Sequence, residues 1–555
     1  MRTPAMKWFK DGDPWIWTTA GAVALSLVMV YAVVWLTAAK GLLHWWPTPV
    51  VETTYDDGRR QTQRLIGELR DKEEVSVNRL REAGFSLTTQ DSFTQRYLIK
   101  LGNRDLTGVD FKWFPAPQLG EFTYPADVIA VERREWGHFF GHLKAVKEAG
   151  NLVAEGEAAW PALQERLARS NGLFKEILRL EKKDIGALNY QLESLRLKER
   201  RLEIDDRLDD RARAQIETER ERLNAAFGVL QTQLDGLRDA IERDSFVAET
   251  MDGQLVEVPL AKVADAIMPN AMSLFQKMGH YVAKFTEFIW DDPREANTEG
   301  GIFPAIFGTV LMVLLMSIMV TPLGIMAAVY MREYAKQGPL IRVIRISVNN
   351  LAGVPSIVYG VFGLGFFVYF LGGNIDQLFF PEAHPAPVFG SPGILWASLT
   401  LALLTLPVVI VATEEGLSRV PRSIREGSLA LGATKAETLW RTVLPIASPA
   451  MMTGLILAVA RAAGEVAPLM LVGVVKLAPS LPLDGNFPFL HMERKFMHLG
   501  FHIYDVGFQS PNVEAARPLV YATALLLVLI IVALNLFAIR LRNRLRERMK
   551  GLEGV

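Results

Sequence analysis

The chain has 555 residues, no cysteine, a formal net charge of −1 and 22% charged residues. Its length exceeds that of a single ordinary core, so several structural units are expected. The near-zero net charge argues against a nucleic-acid partner held by a basic surface, and the absence of cysteine excludes disulfides and thiolate metal sites.

The first predicted element is a membrane span at 14–39, a charge-free stretch with tryptophans at both ends. A bilayer core of ~30 Å takes ~20 apolar residues in a helix, and tryptophan is enriched at membrane interfaces. A cleaved signal peptide is the alternative, because the basic residues Arg2, Lys7 and Lys10 precede the stretch. The apolar run is longer than the ~7–15 residues of a signal core, so we expect a retained span.

A charged insert at 40–301 follows, and it is too long for a simple connection. Patterns typical of strands occur at 97–101 and 128–131. Two further strand-like runs, 246–249 and 255–258, flank Asp252-Gly253, and Asp-Gly in this position favours a β-hairpin. We expect an α+β unit on the external, periplasmic side of the membrane.

Within the insert, residues 160–244 have the pattern of a long helical tract. Apolar residues in its second half alternate steps of four and three, which predicts a coiled-coil seam: Leu223, Phe227, Leu230, Leu234, Leu237 and Ile241. The tract leaves one strand region and returns to another, so two antiparallel helices that fold back near 205–213 explain it best. A single long helix that dimerises is the alternative, since no Gly or Pro marks the turn. For function, a docking or spacer module and a solvated stalk without a ligand both stay open.

Five further apolar stretches predict five more spans, and basic residues cluster in the segments that we place inside the cell. The stretches are 302–330, 346–371, 393–413, 442–475 and 518–539; the basic segments are 331–345, 414–441 and the tail 540–550. With six crossings, both termini are cytoplasmic, and 40–301, 372–392 and 476–517 lie outside.

The segment 414–445 contains the most informative spacing in the chain. Arg425 and the acid Glu426 precede two small residues, Gly427 and Ser428; a glycine follows at 432 and a Leu-Pro pair at 444–445. We expect a short helix on the inner membrane face, a turn at Gly432, and the next span to begin at Leu444-Pro445. The alternative is an ordinary basic amphipathic helix that only connects two spans.

This spacing resembles the EAA loop of ABC importer permeases. The family has two alanines where this chain has Gly427 and Ser428, and often isoleucine where it has Thr442. The resemblance implies that the helix docks on an ATP-hydrolysing subunit and transmits its closure to the spans. The residues that it assigns to ATPase coupling are Arg425, Glu426, Gly427, Ser428, Gly432, Leu444 and Pro445.

Two other stretches, 349–364 (NNLAGVPSIVYGVFGL) and 461–468 (RAAGEVAP), are similar to phosphate-specific transport permeases of the A type. Arg461 and Glu465 lie four residues apart near the middle of the fifth predicted span, where charges are costly and rarely face lipid. A guanidinium binds phosphate oxygens with paired hydrogen bonds. We expect Arg461 to face the substrate pathway and Glu465 to neutralise it when empty; a pair that only fixes helix packing is the alternative. Asn349, Asn350 and Ser356 are weaker pathway candidates.

The residues and the resemblance together imply an all-α polytopic membrane protein with the type I ABC importer permease fold, six transmembrane helices and a periplasmic α+β insert with a coiled-coil hairpin. The units are 1–39, 40–301 and 302–545. No phosphate-binding loop of the G-x-x-x-x-G-K-[ST] type occurs, so we expect no enzyme activity and no cofactor in this chain.

The implied partners are a homologous second permease subunit, two ATP-binding subunits, a periplasmic phosphate-binding protein and the lipid of a bacterial inner membrane, but no nucleic acid. Inorganic phosphate is the implied substrate. Two alternatives stay open. One is a permease for another oxyanion, such as sulfate or molybdate. The other is a membrane signalling or scaffold protein with the external coiled coil as its sensor, although its cytoplasmic segments are short for an output domain.

Overall fold

The computed structural model describes residues 12–56, 62–87, 89, 91–294, 297–510 and 513–553. The predicted basic N-terminal residues Arg2, Lys7 and Lys10 lie outside the described residues, as do the side chains at 546, 548 and 550 of the basic tail. The described chain has a membrane part and, between its first two spans, a mixed insert of sheets and helices.

Within the described residues, six helices are long and apolar enough to cross a membrane, as the sequence predicts. They are Pro14–Trp45, Phe303–Tyr334, Ser356–Phe379, Ile394–Arg419, Lys435–Gly464 and Ala516–Arg544. The first is exposed along its whole apolar window. A wholly apolar, exposed helix is stable only where lipid surrounds it.

The insert contains two antiparallel sheets of four and six strands. After α1 (Asp13–Leu42), the first sheet runs in chain order: β1 (Val50–Asp56), β2 (Thr62–Ser76), β3 (Phe93–Lys100) and β4 (Phe111–Pro115), with short helices α2 (Val77–Glu82) and α3 (Arg104–Thr107) between strands. The second sheet begins with β5 (Val128–Arg133), β6 (His138–Glu148) and β7 (Asn151–Glu155).

A helical hairpin interrupts the second sheet. It consists of α4 (Ala159–Arg179), a π-helical turn (Leu180–Ile185), α5 (Gly186–Ile204) and α6 (Asp210–Glu242). The chain reverses at 205–209 without glycine, because Asp206 adopts a left-handed φ of 57° and Asp209 caps α6 by accepting the N–H of Ala212 at 2.7 Å.

Ion pairs join the two arms of the hairpin, between Glu199 and Arg220 and between Glu181 and Arg238. The predicted fold-back is therefore present, and the alternative of one long continuous helix is wrong. Regular coiled-coil packing between the arms stays a prediction.

The second sheet is completed by β8 (Asp244–Glu249), β9 (Leu255–Pro259) and β10 (Val263–Ile267), in the order β10-β5-β6-β8-β9 with β7 on β6. The predicted Asp-Gly hairpin is present. β8 and β9 are antiparallel, Glu249 and Leu255 are the paired residues next to the turn, and Gly253 in the turn has φ +74°. The helix α7 (Leu274–Trp290) and a ribbon of β11 (Pro293–Arg294) and β12 (Glu299–Gly300) then lead back to the membrane.

The membrane part follows as a series of helices. They are α8 (Phe303–Val329), α9 (Pro339–Leu351), α10 (Ser356–Phe362), α11 (Gly373–Phe379), α12 (Ile394–Arg419), α13 (Arg422–Ala430), α14 (Lys435–Thr438), α15 (Leu444–Gly464), α16 (Leu469–Val472), α17 (Leu499–Tyr504) and α18 (Val513–Glu553). Helix α12 lies at the centre and packs against α8 and α15, and α18 packs against α15 and α1.

Small residues let the central helices approach closely, as is usual in membranes. A Cβ atom on Gly454 of α15 would lie 2.6 Å from the Cβ of Ala412 on α12, and one on Gly416 would lie 2.6 Å from the Cβ of Ala450. Any larger residue at these two glycines would force the helices apart.

Two predicted span boundaries are wrong. The third span does not begin at 346: α9 ends at Leu351, and a new helix starts at Ser356 after Pro355, which has no N–H and disfavours helix in the residue before it. The fifth span does not continue to 475, because its helix ends at Gly464 and Glu465 is extended.

Candidate functional site

The segment after α12 forms two helical pieces joined by a glycine turn. Helix α13 ends at Ala430, Gly432 adopts a left-handed φ of +87°, and Thr434 starts α14 in a reciprocal capping arrangement with Glu437. The predicted short helix and glycine turn are thus present.

Pro445 lies in the first turn of α15, but Leu444-Pro445 is not where the fifth span starts. The helix of the fifth span already begins at Lys435, and it passes through a π-helical turn at Leu439–Val443. Residues 422–443 are called the coupling segment here after the role that the sequence predicts for them, and they are continuous with the fifth span.

Polar contacts tie the coupling segment to the second span. The guanidinium of Arg425 lies 3.0 Å from the carboxylate of Glu333 and donates to the Leu417 carbonyl at 2.6 Å. Ser428 and Thr438 share a hydroxyl hydrogen bond of 2.9 Å across the glycine turn. A displacement of α13 would therefore reach the ends of the second, fourth and fifth spans together.

The solvent-exposed face of the coupling segment is apolar around the glycine turn. Leu431 is 91% exposed, and Leu429 and Trp440 are also exposed. Glu426 is exposed beside Gly427, where an added Cβ would meet no atom within 4 Å. Large apolar side chains, a free acid and small residues together make a surface suited to insertion into a groove on another protein.

Arg461 and Glu465 contact each other at the end of α15. The Arg461 Nε lies 3.5 Å from a Glu465 carboxylate oxygen, and their side chains are 32% and 20% exposed. The predicted pair is present, but the prediction that it lies on one face of a helix in mid-span is wrong: Arg461 is in the last helical turn and Glu465 is beyond it. The broken helix leaves both groups beside irregular backbone, which in membrane proteins lines cavities or protein interfaces.

The structure brings together the two stretches singled out by sequence, 349–364 and 461–468. A Cβ atom on Gly360 would lie 2.7 Å from the Cα of Pro468, and the Tyr359 hydroxyl donates to the Leu351 carbonyl at 2.7 Å across the break between α9 and α10.

The weaker candidates flank the same break. Asn349 and Asn350 are exposed on the last turn of α9, and Ser356 is half-buried at the start of α10.

Sequence reasoning missed one ion pair near this region. Arg345 of α9 contacts Glu414 of α12 at 2.5 Å, and both side chains are partly buried. The only signal was the acidic pair Glu414-Glu415 at the end of an apolar run, opposite a basic segment. This pair joins α9 to the fourth span just ahead of the coupling segment.

A cavity of about 810 Å³ lies elsewhere, between the insert and the ends of the first and last spans that adjoin it. Its lining includes Lys40, Glu68, Lys284 and Arg517 but neither Arg461 nor Glu465. It belongs to the junction of the insert with the membrane part.

Known proteins resemble this chain mainly in its membrane part. Residues 320–551 match the family described as binding-protein-dependent transport system inner membrane component. The chain is 37% identical over 254 residues to the phosphate transport system permease protein PstA of Mycobacterium leprae, which covers 45% of this chain and 74% of that protein.

A second relative is the phosphate transport system permease protein PstA of Yersinia pestis, 33% identical over 260 residues, which covers 47% of this chain and 77% of that protein. Among solved structures, the inward-facing MetNI methionine ABC transporter aligns with 43% of this chain and 94% of its own at 17% identity, with a TM-score of 0.33. That structural likeness is too distant to carry weight.

Proposed function

The chain belongs to the family of binding-protein-dependent transport system inner membrane components, and we propose that it is the permease subunit of an ATP-driven importer of inorganic phosphate in a bacterial inner membrane. The observation that carries the proposal is the coupling segment, an exposed short helix and glycine turn continuous with the fifth span. Relatives more than 30% identical that are named phosphate permeases support the substrate.

Energy enters through the coupling segment. Leu431 and Leu429 insert into a groove of the ATP-hydrolysing partner, Glu426 supplies an anchoring charge, and Gly427 and Ser428 allow close approach. When the ATPase closes, α13 moves, and its contact with Glu333 carries the movement to the second span. ATP hydrolysis resides in the partner, and this chain is not an enzyme.

Phosphate passes the break between α9 and α10. Near neutral pH phosphate is mostly a dianion, and the partly exposed Arg461 guanidinium offers paired donors to its oxygens. Glu465 holds Arg461 when the pathway is empty and releases it as the anion arrives. The partial exposure of both side chains supports this exchange.

The assembly has a homologous second permease, two ATPase subunits and an external phosphate-binding protein. The pathway forms between the two permeases and alternates between outward and inward access. Both termini of this chain are cytoplasmic and residues 40–301 are periplasmic, where the insert, with a coiled-coil hairpin, serves as a docking or spacer module. The basic segments 331–345 and 414–441 support this orientation.

The alternatives are less favoured. The names of the relatives favour phosphate over sulfate or molybdate, and membership of a transport family does not favour a signalling scaffold.

Phosphate uptake by Arg461→Lys and Glu465→Gln in assembled complexes tests the substrate pathway. Lysine keeps the charge but loses the bidentate fork, so we expect uptake to fall about tenfold, which corresponds to about 1.4 kcal/mol of lost stabilisation. The matched controls are Arg222→Lys and Glu219→Gln, an exposed ion pair on α6 of the insert, and they should leave uptake unchanged.

Two results would revise the proposal separately. Unchanged uptake in both Arg461 and Glu465 variants removes this pair from the pathway but leaves the transporter assignment intact. If excess sulfate or molybdate abolishes uptake of labelled phosphate as effectively as unlabelled phosphate does, the substrate assignment is wrong.

A further inference from the structure

Helix α7 of the insert exposes an apolar face. Phe275 is 85% exposed and Val282 59% exposed, and Met278 and Trp290 are exposed on the same side. The other exposed residues of α7 are Leu274, Gln276, Gly279, Ala283 and Thr286, none of them charged. The Thr286 hydroxyl is satisfied within the helix, since it donates to the Ala283 carbonyl at 2.8 Å. The Oε1 of Gln276 accepts the N–H of Ser273 at 2.8 Å, so the exposed surface of α7 carries no charge and few polar groups that need water.

The charged face of α7 points the other way, into the protein. Lys284 lies 2.6 Å from Glu132 and 3.0 Å from Asp265, and Glu287 pairs with Arg294. Burial by itself would lower the pKa of Lys284, but these carboxylates raise it above its ordinary value. The helix is thus oriented opposite to a surface helix in water, which buries its apolar face.

The C-terminal half of α7 contacts aromatic residues at the insert-side ends of two membrane spans. The ring of Trp45, at the end of the first span, lies 5.1 Å from that of Phe285 and 4.9 Å from that of Phe288. Close by, at the last residue of α7, Trp290 stacks at 5.8 Å on Phe303, the first residue of the second span. The apolar face is therefore continuous with two surfaces that meet lipid, at the depth where aromatic belts occur.

We propose that α7 lies along the membrane interface on the insert side, with its apolar face in the lipid and its charged face against the insert. An amphipathic helix of this kind buries its apolar face at the boundary of headgroups and acyl chains. The insert is then held on the bilayer by α7, through the ion pairs of Lys284 and Glu287, as well as by its two chain connections. This inference does not depend on the transported substrate.

Because the chain has no cysteine, single cysteines report each position without background. Met278→Cys and Val282→Cys place a fluorescent label on the apolar face of α7. Val229→Cys is the matched control, since Val229 is 68% exposed on α6 but distant in sequence from any span. The labelled complexes are reconstituted in nanodiscs of phosphatidylethanolamine and phosphatidylglycerol, with and without a lipid carrying a nitroxide on its upper acyl chain.

We expect the nitroxide lipid to quench the labels at 278 and 282 several-fold more than the label at 229, and aqueous iodide to do the reverse. Iodide quenching at 278 and 282 equal to that at 229 would overturn the proposal, because the face would then be in water. Protection from both quenchers would also overturn it, because another subunit would then cover the face.

Discussion

His498 is a buried imidazole that caps a short helix. Its Nδ1 accepts the N–H of Gly500 at 3.1 Å at the start of α17. Burial lowers the pKa of His498 to about 3 and that of His502 to about 4. Both side chains are therefore neutral in the folded protein at neutral pH.

A lowered histidine pKa makes the fold sensitive to mild acid. Above the ordinary pKa of 6.5 the folded and unfolded chains are both neutral, so no stability is lost. Below it, the unfolded chain takes up a proton that the folded chain refuses, and stability falls by about 1.4 kcal/mol per pH unit for each histidine until the folded pKa is reached.

We therefore expect the thermal unfolding midpoint to drop between about pH 7.5 and about pH 5.5, and His498→Asn to reduce that drop. Asparagine also caps helices but does not titrate. The same change at His384, an exposed histidine, is the control and should leave the drop as in the wild type. If the unfolding midpoint of His498→Asn dropped as much as that of the wild type, the titration of His498 would not contribute to the acid sensitivity.

At the scale of elements, the coupling segment and the break between α9 and α10 follow from local chemistry of different kinds. Gly432 turns because glycine adopts φ +87° without strain. Pro355 starts a new helix because proline disfavours helix in the residue before it. The end of α15 is marked by Gly464 and Pro468, but the apolar run continues past both, and the predicted fifth span is therefore too long.

The coupling segment makes a testable prediction about Leu431. An anchoring leucine buried in a partner contributes ~1.5–3 kcal/mol, and a carboxylate there costs more because it must be desolvated. We expect Leu431→Asp to weaken binding of the ATPase subunit at least about tenfold and to abolish the coupling of ATP hydrolysis to uptake.

Leu255→Asp is the matched control for Leu431→Asp, since Leu255 is a highly exposed leucine of the insert. It should not change ATPase binding. Normal ATPase binding in Leu431→Asp would mean that this segment is an ordinary connector. Co-purification and binding titrations of the ATPase subunit measure both variants.

At the scale of the molecule, the helical hairpin of the insert lies on loops of the membrane part. The Tyr190 hydroxyl donates to the Phe487 carbonyl at 2.6 Å, its ring lies 5.6 Å from His491, and Arg201 pairs with Glu382 at 3.5 Å. Because these loops and the insert share one side of the spans, the hairpin and the coupling segment are expected on opposite sides of the membrane.

Single cysteines test this topology. Ser194→Cys on α5 and Ser423→Cys on α13 both replace exposed serines. A membrane-impermeant thiol reagent should label position 194 in spheroplasts and position 423 only after the membrane is opened. Labelling of 423 in sealed spheroplasts would reverse the orientation and remove the proposed contact with a cytoplasmic ATPase.

The sequence alone determined the number of spans, the Asp-Gly hairpin and the glycine turn of the coupling segment, because each depends on residues near one another in the chain. An apolar run of ~20 residues specifies a span by itself. The strand β2 (Thr62–Ser76) is not predicted because it is rich in Glu, Asp and Lys, residue types that are depleted in strands.

The tertiary structure alone decided that Gly360 meets Pro468, that Arg345 pairs with Glu414, and that α7 turns its charged face inward. The pattern of α7 is that of any amphipathic helix. The charged face is held against the protein by Glu132, which is 152 residues from Lys284 in sequence, and by Asp265, so the tertiary structure decides which face is left for lipid.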